Sequence, residues 1–243
     1  MELQQLERQI KQQLPRPSSV EIIAAKQFSI PIHTLLVKYA PIRRTPMDIL
    51  MKMMLLTFQT GRFQDAETVA DVLLVESLFI EDLLQKMKKT GLVIIEESIQ
   101  LTEKGREQLA AGIFEEQLEE MEQELLYSPL HGTFLQGELE EFDEFPEELS
   151  YTEQLSVLWN DEQIVEALQS SVTEDSEEPT FITSINSAEE LQINDAPCFQ
   201  YVLHDTGKET FDVRVFNTLT NAWDAHLEQL VKEQEHSSWR ELL

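Results

Sequence analysis

The chain has few of the residues on which metal sites and nucleotide-binding loops usually depend. Its 243 residues include one cysteine, Cys198, and seven glycines. A single cysteine excludes an internal disulfide and a cysteine-based zinc site, so we expect Cys198 to be a small buried hydrophobic side chain. The glycines form neither the dinucleotide fingerprint nor the P-loop. The sequence therefore predicts no bound cofactor.

Catalytic motifs are also missing. The five histidines form no ligand-spaced pair, and no nucleophile-elbow motif is present. Asp and Glu are so common that their adjacency carries little information about a site. We predict that the protein is not an enzyme and holds no metal, with an enzyme whose carboxylate site no short motif reveals as an alternative.

Long apolar runs are absent as well. No stretch approaches the roughly 18 to 20 apolar residues that span a bilayer. The first residues, MELQQLERQIKQQLPRP, lack the apolar segment of a signal peptide. We expect a cytoplasmic protein with no membrane partner.

Basic residues are scarce and unevenly distributed. The chain has 18 Lys and Arg against 46 Asp and Glu, a net charge of −28. Residues 1–112 hold 14 of each sign, so residues 113–243 hold the other 4 basic and 32 acidic residues. This field repels nucleic acid and attracts basic protein surfaces, or it serves only to keep the protein soluble.

The segment from Gln64 to Arg106 organises the first half of the chain. Apolar residues recur with helical spacing in two short stretches, first Ala66, Val69, Ala70 and Leu73, then Ile80, Leu83, Leu84 and Met87. Gly91 follows Lys88 and Lys89 and predicts the end of the second helix. Two short strands around Glu96, Glu97 and Ser98 should follow, and Thr102 should cap another helix. Gly105 should let that helix lie close to its neighbour.

The residues before this segment predict a helix, strands and a further helix. Apolar spacing predicts a short helix over residues 3–14. Residues 20–39 read as one or two strands, with Pro31 confining the first to a sheet edge. Thr45 and Pro46 resemble a helix start, with a helix to about Thr60. Its predicted buried face comprises Met47, Leu50, Met53, Met54 and Phe58, widened by Ile49 and Leu56.

Residues 45–112 resemble the winged-helix domains of bacterial regulators such as the MarR type. The segment Leu101-Thr102-Glu103-Lys104-Gly105-Arg106 is similar to the Leu-Thr-x-x-Gly-Arg that often follows the wing. The resemblance implies a fold used both for DNA binding and for protein assembly, including the winged-helix subunits of SMC-type complexes.

A DNA-binding role would place the helix Ser77–Thr90 in the major groove. Its outward face carries Leu78, Glu81, Asp82 and Gln85, which is a poor base-reading surface, and the wing tip is acidic. The residues that could contact the nucleic-acid backbone are Arg43, Arg44, Arg62, Lys86, Lys88 and Lys89.

The second half reads as an acidic α+β domain. Residues 110–126 predict a long acidic helix, which would either pair two protomers in a homodimer or pack on its own domain. A helical segment over 150–172 is followed by an acidic connection, 170–179. A turn near 187–190 precedes a β-hairpin of residues 199–216, with Gly207 supplying the turn conformation, and a last helix spans about 221–235. The segments YSPLHGTFL and FNTLTNAWD weakly resemble each other.

The sequence thus predicts an α+β fold in three parts. They are an N-terminal arm (1–41), a winged-helix domain with a long acidic C-terminal helix (42–126) and an acidic α+β domain (127–243). We expect a non-catalytic assembly or regulatory subunit that acts through protein contacts beside nucleic-acid machinery, with a partner that has a basic surface. The main alternative is a dimeric DNA-binding regulator.

Overall fold

The computed structural model describes residues 3–14, 17, 19–149, 159–171 and 180–242, and its fold is α+β. The helices are α1 (Leu3–Gln13), α2 (Ile49–Thr60), α3 (Ala66–Leu73), α4 (Ser77–Lys89), α5 (Glu103–Ala111), α6 (Asp161–Ser171) and α7 (Ala225–Glu235), followed by a short 3-10 helix (Trp239–Leu242). The strands are β1 (Val20–Tyr39), β2 (Ile42–Pro46), β3 (Val93–Ile95), β4 (Ile99–Leu101), β5 (Ile113–Gln117), β6 (Met121–Ser128), β7 (Thr133–Leu135), β8 (Thr180–Phe181), β9 (Ser187–Asp205), β10 (Thr210–Asn217) and β11 (Ala222–Trp223). None of the helices in these ranges has the length and apolarity needed to cross a bilayer.

The chain divides into two compact units. The sheet unit comprises Met1–Lys38, Glu122–Leu168 and Ser187–Leu243, and the helical unit comprises Tyr39–Met121 and Gln169–Asn186. The residues predicted as an N-terminal arm thus belong almost entirely to the same unit as the C-terminal end of the chain.

The sheet unit is built on the antiparallel pair β1 and β9. Its six strands lie in the order β11-β10-β9-β1-β6-β7. Pairing of β1 with β9 runs from Val20 opposite Asp205 to Lys38 opposite Ser187. Helix α1 packs on one face against Phe199, Tyr201 and Leu203, while α7 and Trp239 pack on the other face against a cluster that includes Cys198 and Val202. Both faces of β9 are therefore buried from Ala196 to Leu203, and the prediction of a buried Cys198 is confirmed.

Three sequence expectations for this unit are wrong. Strand β1 lies between β9 and β6, so Pro31, opposite Asp195, is on an interior strand and not on an edge strand. Residues 187–190 form no turn, because β1 pairs with them and extends β9 through them. The hairpin of β9 and β10 is present, but its left-handed residue is Glu209, with φ of 51°, and not Gly207.

The two similar nine-residue segments adopt the same hairpin. In the first, Tyr127 pairs with Phe134, and in the second Phe216 pairs with Trp223. The sixth residue is left-handed in both, with φ of 64° at Gly132 and 50° at Asn221. Helix α7 consequently begins at Ala225, after the second hairpin, and not near residue 221.

The helical unit contains the helices and hairpin predicted between residues 64 and 106. Helices α3 and α4 pack through Val69, Ala70, Ile80, Leu84 and Met87 into one core with α2. Gly91 has φ of 76° after α4, and strands β3 and β4 form the predicted hairpin. Thr102 accepts a hydrogen bond from the Gly105 amide, which confirms the predicted cap.

Helix α2 begins later and faces differently from the prediction. Thr45 and Pro46 end strand β2, and Asp48 caps the helix by accepting from the amides of Leu50 and Met51. The later start places Met51, Met54, Leu55 and Phe58 in the core. Ile49, Met53 and Leu56 are exposed, so their assignment to the buried face is wrong.

The long acidic helix predicted over residues 110–126 is also wrong. Helix α5 ends at Ala111, and Gly112 follows in a left-handed conformation, with φ of 69°. Strands β5 and β6 occupy the rest of the segment. Strand β5 pairs with β2, which places Arg43 opposite Glu116 and Arg44 opposite Glu115. These long-range partners override the helical propensity of the glutamates.

The prediction for residues 150–172 is only partly covered by the structure. Helix α6 confirms its second half, and Asn160 caps that helix by accepting from the Gln163 amide at 2.8 Å. The predicted helix start at Ser150 and most of the predicted connection 170–179 lie outside the described residues.

Gly105 tests how tightly α5 packs on the hairpin. A β-carbon added there would lie 2.3 Å from the carbonyl oxygen of Leu92, which is backbone and cannot rotate away. We expect Gly105→Ala to lower the free energy of unfolding by about 1–3 kcal/mol, although Ala normally stabilises a helix by about 1 kcal/mol over Gly. Chemical denaturation measures the change. Gly207→Ala is the control, because its nearest contact would be 3.3 Å. A neutral or stabilising Gly105→Ala would contradict the packing described.

Candidate functional site

Helix α3 is capped at its N-terminus by Asp65 and leads into α4 through a left-handed residue at its C-terminus. Asp65 accepts hydrogen bonds from the Thr68 amide at 2.8 Å and its hydroxyl at 2.7 Å, and these two bonds lower the pKa of Asp65. Helix α3 ends at Leu73, and the next residue, Leu74, is left-handed, with φ of 56°. The Val75 amide then bonds to the Ala70 carbonyl at 3.1 Å and starts the approach to α4.

Leu74 is an unusual residue for this position. The left-handed conformation costs a residue with a β-carbon roughly 1–2 kcal/mol, so glycine or asparagine normally occupies it. The Leu74 side chain is 91% exposed, so packing does not offset this cost. A leucine that is both strained and exposed points to a role outside the folded chain.

Three other large apolar side chains are exposed close to Leu74 in sequence. Val72 is 58% exposed in the last turn of α3, and Leu78 and Phe79 are 61% and 57% exposed in the first turn of α4. Their neighbours Leu73 and Val75 pack against the core, so the core does not need these four residues. We call Val72, Leu74, Leu78 and Phe79 the apolar patch.

The exposed polar residues next to the apolar patch are acidic. Asp71, Glu76, Glu81 and Asp82 are all exposed, and Gln85 lies one turn further along α4. Because Ile80, Leu84 and Met87 point into the core, Leu78, Glu81, Asp82 and Gln85 face outward as the sequence predicted. A duplex approaching this face would meet carboxylates before it met a cation.

Three of the six predicted phosphate contacts are held in ion pairs. Arg43 bonds to Glu116 at 2.7 Å and Arg44 to Glu115 at 2.8 Å, and Lys86 lies 3.6 Å from Glu116. Arg44 also stacks over Phe181 and Lys86 over Phe114, at 4.8 and 4.9 Å from the ring centroids. The hydrogen bond from Arg43 is the main cause that lowers the pKa of Glu116. Strand β5 therefore provides two carboxylates that contact Arg43 and Arg44 of β2 and Lys86 of α4.

The other three predicted contacts lie at two different places. Lys88 and Lys89 are exposed in the last turn of α4. Arg62 lines a groove of about 500 Å³ beside the β3–β4 hairpin, with Ser98, Gln100 and Arg106. The hairpin tip carries Glu96 and Glu97, both exposed. The six basic side chains thus have three environments: Arg43, Arg44 and Lys86 contact carboxylates, Lys88 and Lys89 are exposed, and Arg62 lines the groove.

A buried polar cluster lies in the sheet unit and was not found from the sequence. The Ser128 hydroxyl and His131 Nδ1 are 2.7 Å apart, and His131 Nε2 is 3.0 Å from Asp224 Oδ2. Asn217 donates to the same carboxylate at 2.9 Å, and the Leu227 amide bonds to its other oxygen at 3.0 Å. Ser128 is fully buried, so the cluster joins the two matching hairpins to the start of α7 and presents no accessible nucleophile.

Asp224 is the centre of this cluster. Burial alone would raise its pKa, but the hydrogen bonds from His131, Asn217 and Leu227 lower the pKa to about 2. The only sequence signal was the resemblance between the two nine-residue segments, because His131 belongs to the first and Asn217 and Asp224 to the second.

Comparison with known proteins identifies no relative: no family model, curated protein or solved structure matches the chain.

The lowered pKa of Asp224 predicts that the stability of the fold depends on pH in the acidic range. Its folded pKa of about 2 lies below the ordinary aspartate value of 3.8, so the carboxylate stabilises the fold above about pH 4. The contribution of about 2 kcal/mol should be lost as the pH falls from 4 to 2. Denaturation of the wild type and Asp224→Asn over this range measures it. The variant should be less stable at pH 7, with a smaller acid-dependent loss. An equal loss in both proteins would assign the acid sensitivity to other carboxylates.

Proposed function

We propose that the protein is a non-catalytic winged-helix subunit that binds a partner protein through the apolar patch on α3 and α4. The observation that carries the proposal is Leu74, a leucine held left-handed and 91% exposed. Such a residue lowers the stability of the free chain, so its selection is best explained by a surface that becomes covered on binding.

The composition of the patch supports a protein as the ligand. Aromatic and large aliphatic side chains give binding energy when a partner excludes water from them. Phe79 is the aromatic anchor, and Leu74 and Leu78 precede it in sequence. Nucleic acid would gain little from these side chains and would be repelled by Glu76, Glu81 and Asp82.

The acidic rim defines the complementary partner. Asp71, Glu76, Glu81 and Asp82 are exposed, and no ion pair to any of them occurs in the described residues. A partner with an apolar centre and surrounding Lys or Arg would bury the patch and pair with the rim. In the winged-helix interpretation, a surface that reads DNA in regulators would instead bind a basic protein of a nucleic-acid complex.

Photo-crosslinking followed by reconstitution tests this proposal. A photoreactive amino acid at position 79 should capture one defined protein in the native cell, whereas the same residue at Gln100, exposed on β4, should not. With that partner purified, Phe79→Ser should weaken binding about tenfold or more, as expected for an aromatic anchor. Ile49→Ser, at a residue 77% exposed on α2, is the matched control and should leave the affinity unchanged.

Binding to duplex DNA distinguishes the proposed assembly subunit from the alternative, a DNA-binding regulator. The intact protein should bind labelled duplex weakly at physiological salt. Glu115→Gln with Glu116→Gln should increase salt-dependent binding without sequence preference, because it releases Arg43, Arg44 and Lys86. If the unaltered protein binds one duplex sequence tightly, and Gln85→Ala or Lys89→Ala abolishes that preference, the DNA-binding regulator replaces the assembly subunit.

Leu74 provides a test that needs no identified partner. Asparagine tolerates the left-handed conformation better than leucine, so Leu74→Asn should raise the free energy of unfolding by about 0.5–1 kcal/mol. Leu74→Ala, whose side chain cannot hydrogen-bond to the local backbone as asparagine does, should gain less. A clear loss of stability in Leu74→Asn would show that the side chain supports the fold and would remove the main support for the patch.

A further inference from the structure

Half of strand β9 has an open edge. Strand β9 runs from Ser187 to Asp205, but β10 pairs only with Cys198–Asp205. On the opposite side, β1 pairs with β9 along almost its whole length. From Ser187 to Ala196, no strand in the described ranges lies along the β10 side. Backbone amide and carbonyl groups on that side are therefore available to another strand.

The open half also exposes its side chains. Residues 187–193 are all exposed, including Leu191 at 49% and Ile193 at 59%. From Ala196 to Leu203 the strand is buried on both faces. An added strand would cover these two large apolar side chains and pair with the open backbone groups beside them. Main-chain hydrogen bonds would then give affinity, and the side-chain contacts would give selectivity.

The charge of this edge excludes a second copy of the chain. Glu189, Glu190 and Asp195 lie within one short stretch, so an antiparallel copy would place carboxylates near carboxylates. Leu191 also lies at a register shift, because Gln192 pairs with Thr34 and Glu190 with Leu35. A bulge of this kind hinders edge-to-edge pairing of identical strands.

The surrounding sequence does not compensate these acids. From Glu107 to Gly207 the chain contains no Lys or Arg. Three of the four basic residues that follow already contact acids: Lys208 with Asp205, Arg214 with Glu228, and Lys232 with Asp212. Lys38, opposite Ser187, contacts Glu122 at 2.7 Å, and His33 lies 3.2 Å from Glu190. An added strand would have to supply positive charge itself.

We infer that the β9 edge from Ser187 to Ala196 binds an extended basic segment of a partner protein as an additional strand. By the register of β9 against β1, Glu189 lies on one face of the strand, and Ile193 and Asp195 lie on the other. Lys or Arg side chains of that segment pair with Glu189 and with Asp195, and its apolar side chains contact Leu191 and Ile193. This edge belongs to the sheet unit and is separate from the apolar patch, so either surface can be tested without the other.

An eight-residue synthetic peptide with the repeat Lys-Lys-Val-Val serves as the probe, because it presents lysine and valine on both of its faces. With the full chain, we expect salt-sensitive binding by fluorescence anisotropy and new hydrogen-exchange protection at alternate amides between Ser187 and Ala196. A peptide with an N-methyl group on every residue should bind at least tenfold more weakly, because neither of its edges can donate hydrogen bonds to the ladder. A glutamate–valine peptide should bind more weakly still, since like charges repel.

Two charge-matched double variants locate the site. Glu189→Lys with Ile193→Lys should reduce lysine–valine binding at least tenfold. Glu241→Lys with Leu242→Lys, which alters an exposed acid and an exposed leucine near the end of the chain, should bind like the wild type. Equal binding by the two variants, or undiminished binding of the N-methylated peptide, would overturn the inference. Protection of all amides from Ser187 to Ala196 in the free protein would overturn it too, because the edge would already be occupied.

Discussion

The pairing of β1 with β9 is the interaction on which the sheet unit depends. It joins residues near the two ends of the chain through 18 pairs of opposed residues, from Val20 with Asp205 to Lys38 with Ser187. Helices α1 and α7 have separate hydrophobic contacts on the two faces of these strands. Without the pair, neither helix would have an apolar surface to cover. Strands β6 and β10 add to this pair on its two sides, and β7 and β11, the second strands of the two matching hairpins, form the edges of the sheet.

Charge is arranged differently in the two units. In the helical unit, Glu115 and Glu116 pair with Arg43, Arg44 and Lys86. Arg44 and Lys86 also lie over aromatic rings. In the sheet unit, acids greatly outnumber the bases that could pair with them. In both units, the surfaces that lack nearby basic residues therefore combine exposed apolar side chains with carboxylates. The proposed contacts at the apolar patch and at β9 follow from this one property, and both require basic partners.

Local signals were sufficient to predict the elements between Gln64 and Arg106. Caps such as Thr102, the glycine after α4 and the helical spacing of core residues act over a few positions, so they can be read directly. The conformations predicted for residues 110–126 and 187–190 were wrong because these segments pair with strands elsewhere in the chain. The apolar patch could be predicted only in part, because helical periodicity placed Leu78 on the outward face but gave no sign of the left-handed conformation of Leu74. The buried contact of His131 with Asp224 could not be predicted, because it joins residues that are far apart in sequence.

The order of synthesis gives the β1–β9 pair a further consequence. A ribosome makes about 5–20 residues per second, so β1 emerges roughly 10–40 s before the matching residues of β9 exist. Ile30, Ile32, Leu35 and Val37 are all buried in the finished fold, but during this interval β1 can be paired only on its β6 side. The longer segment of the helical unit, Tyr39–Met121, is also synthesised before β9. Nascent chains should therefore carry an apolar strand with one open edge, which is the kind of intermediate that chaperones bind.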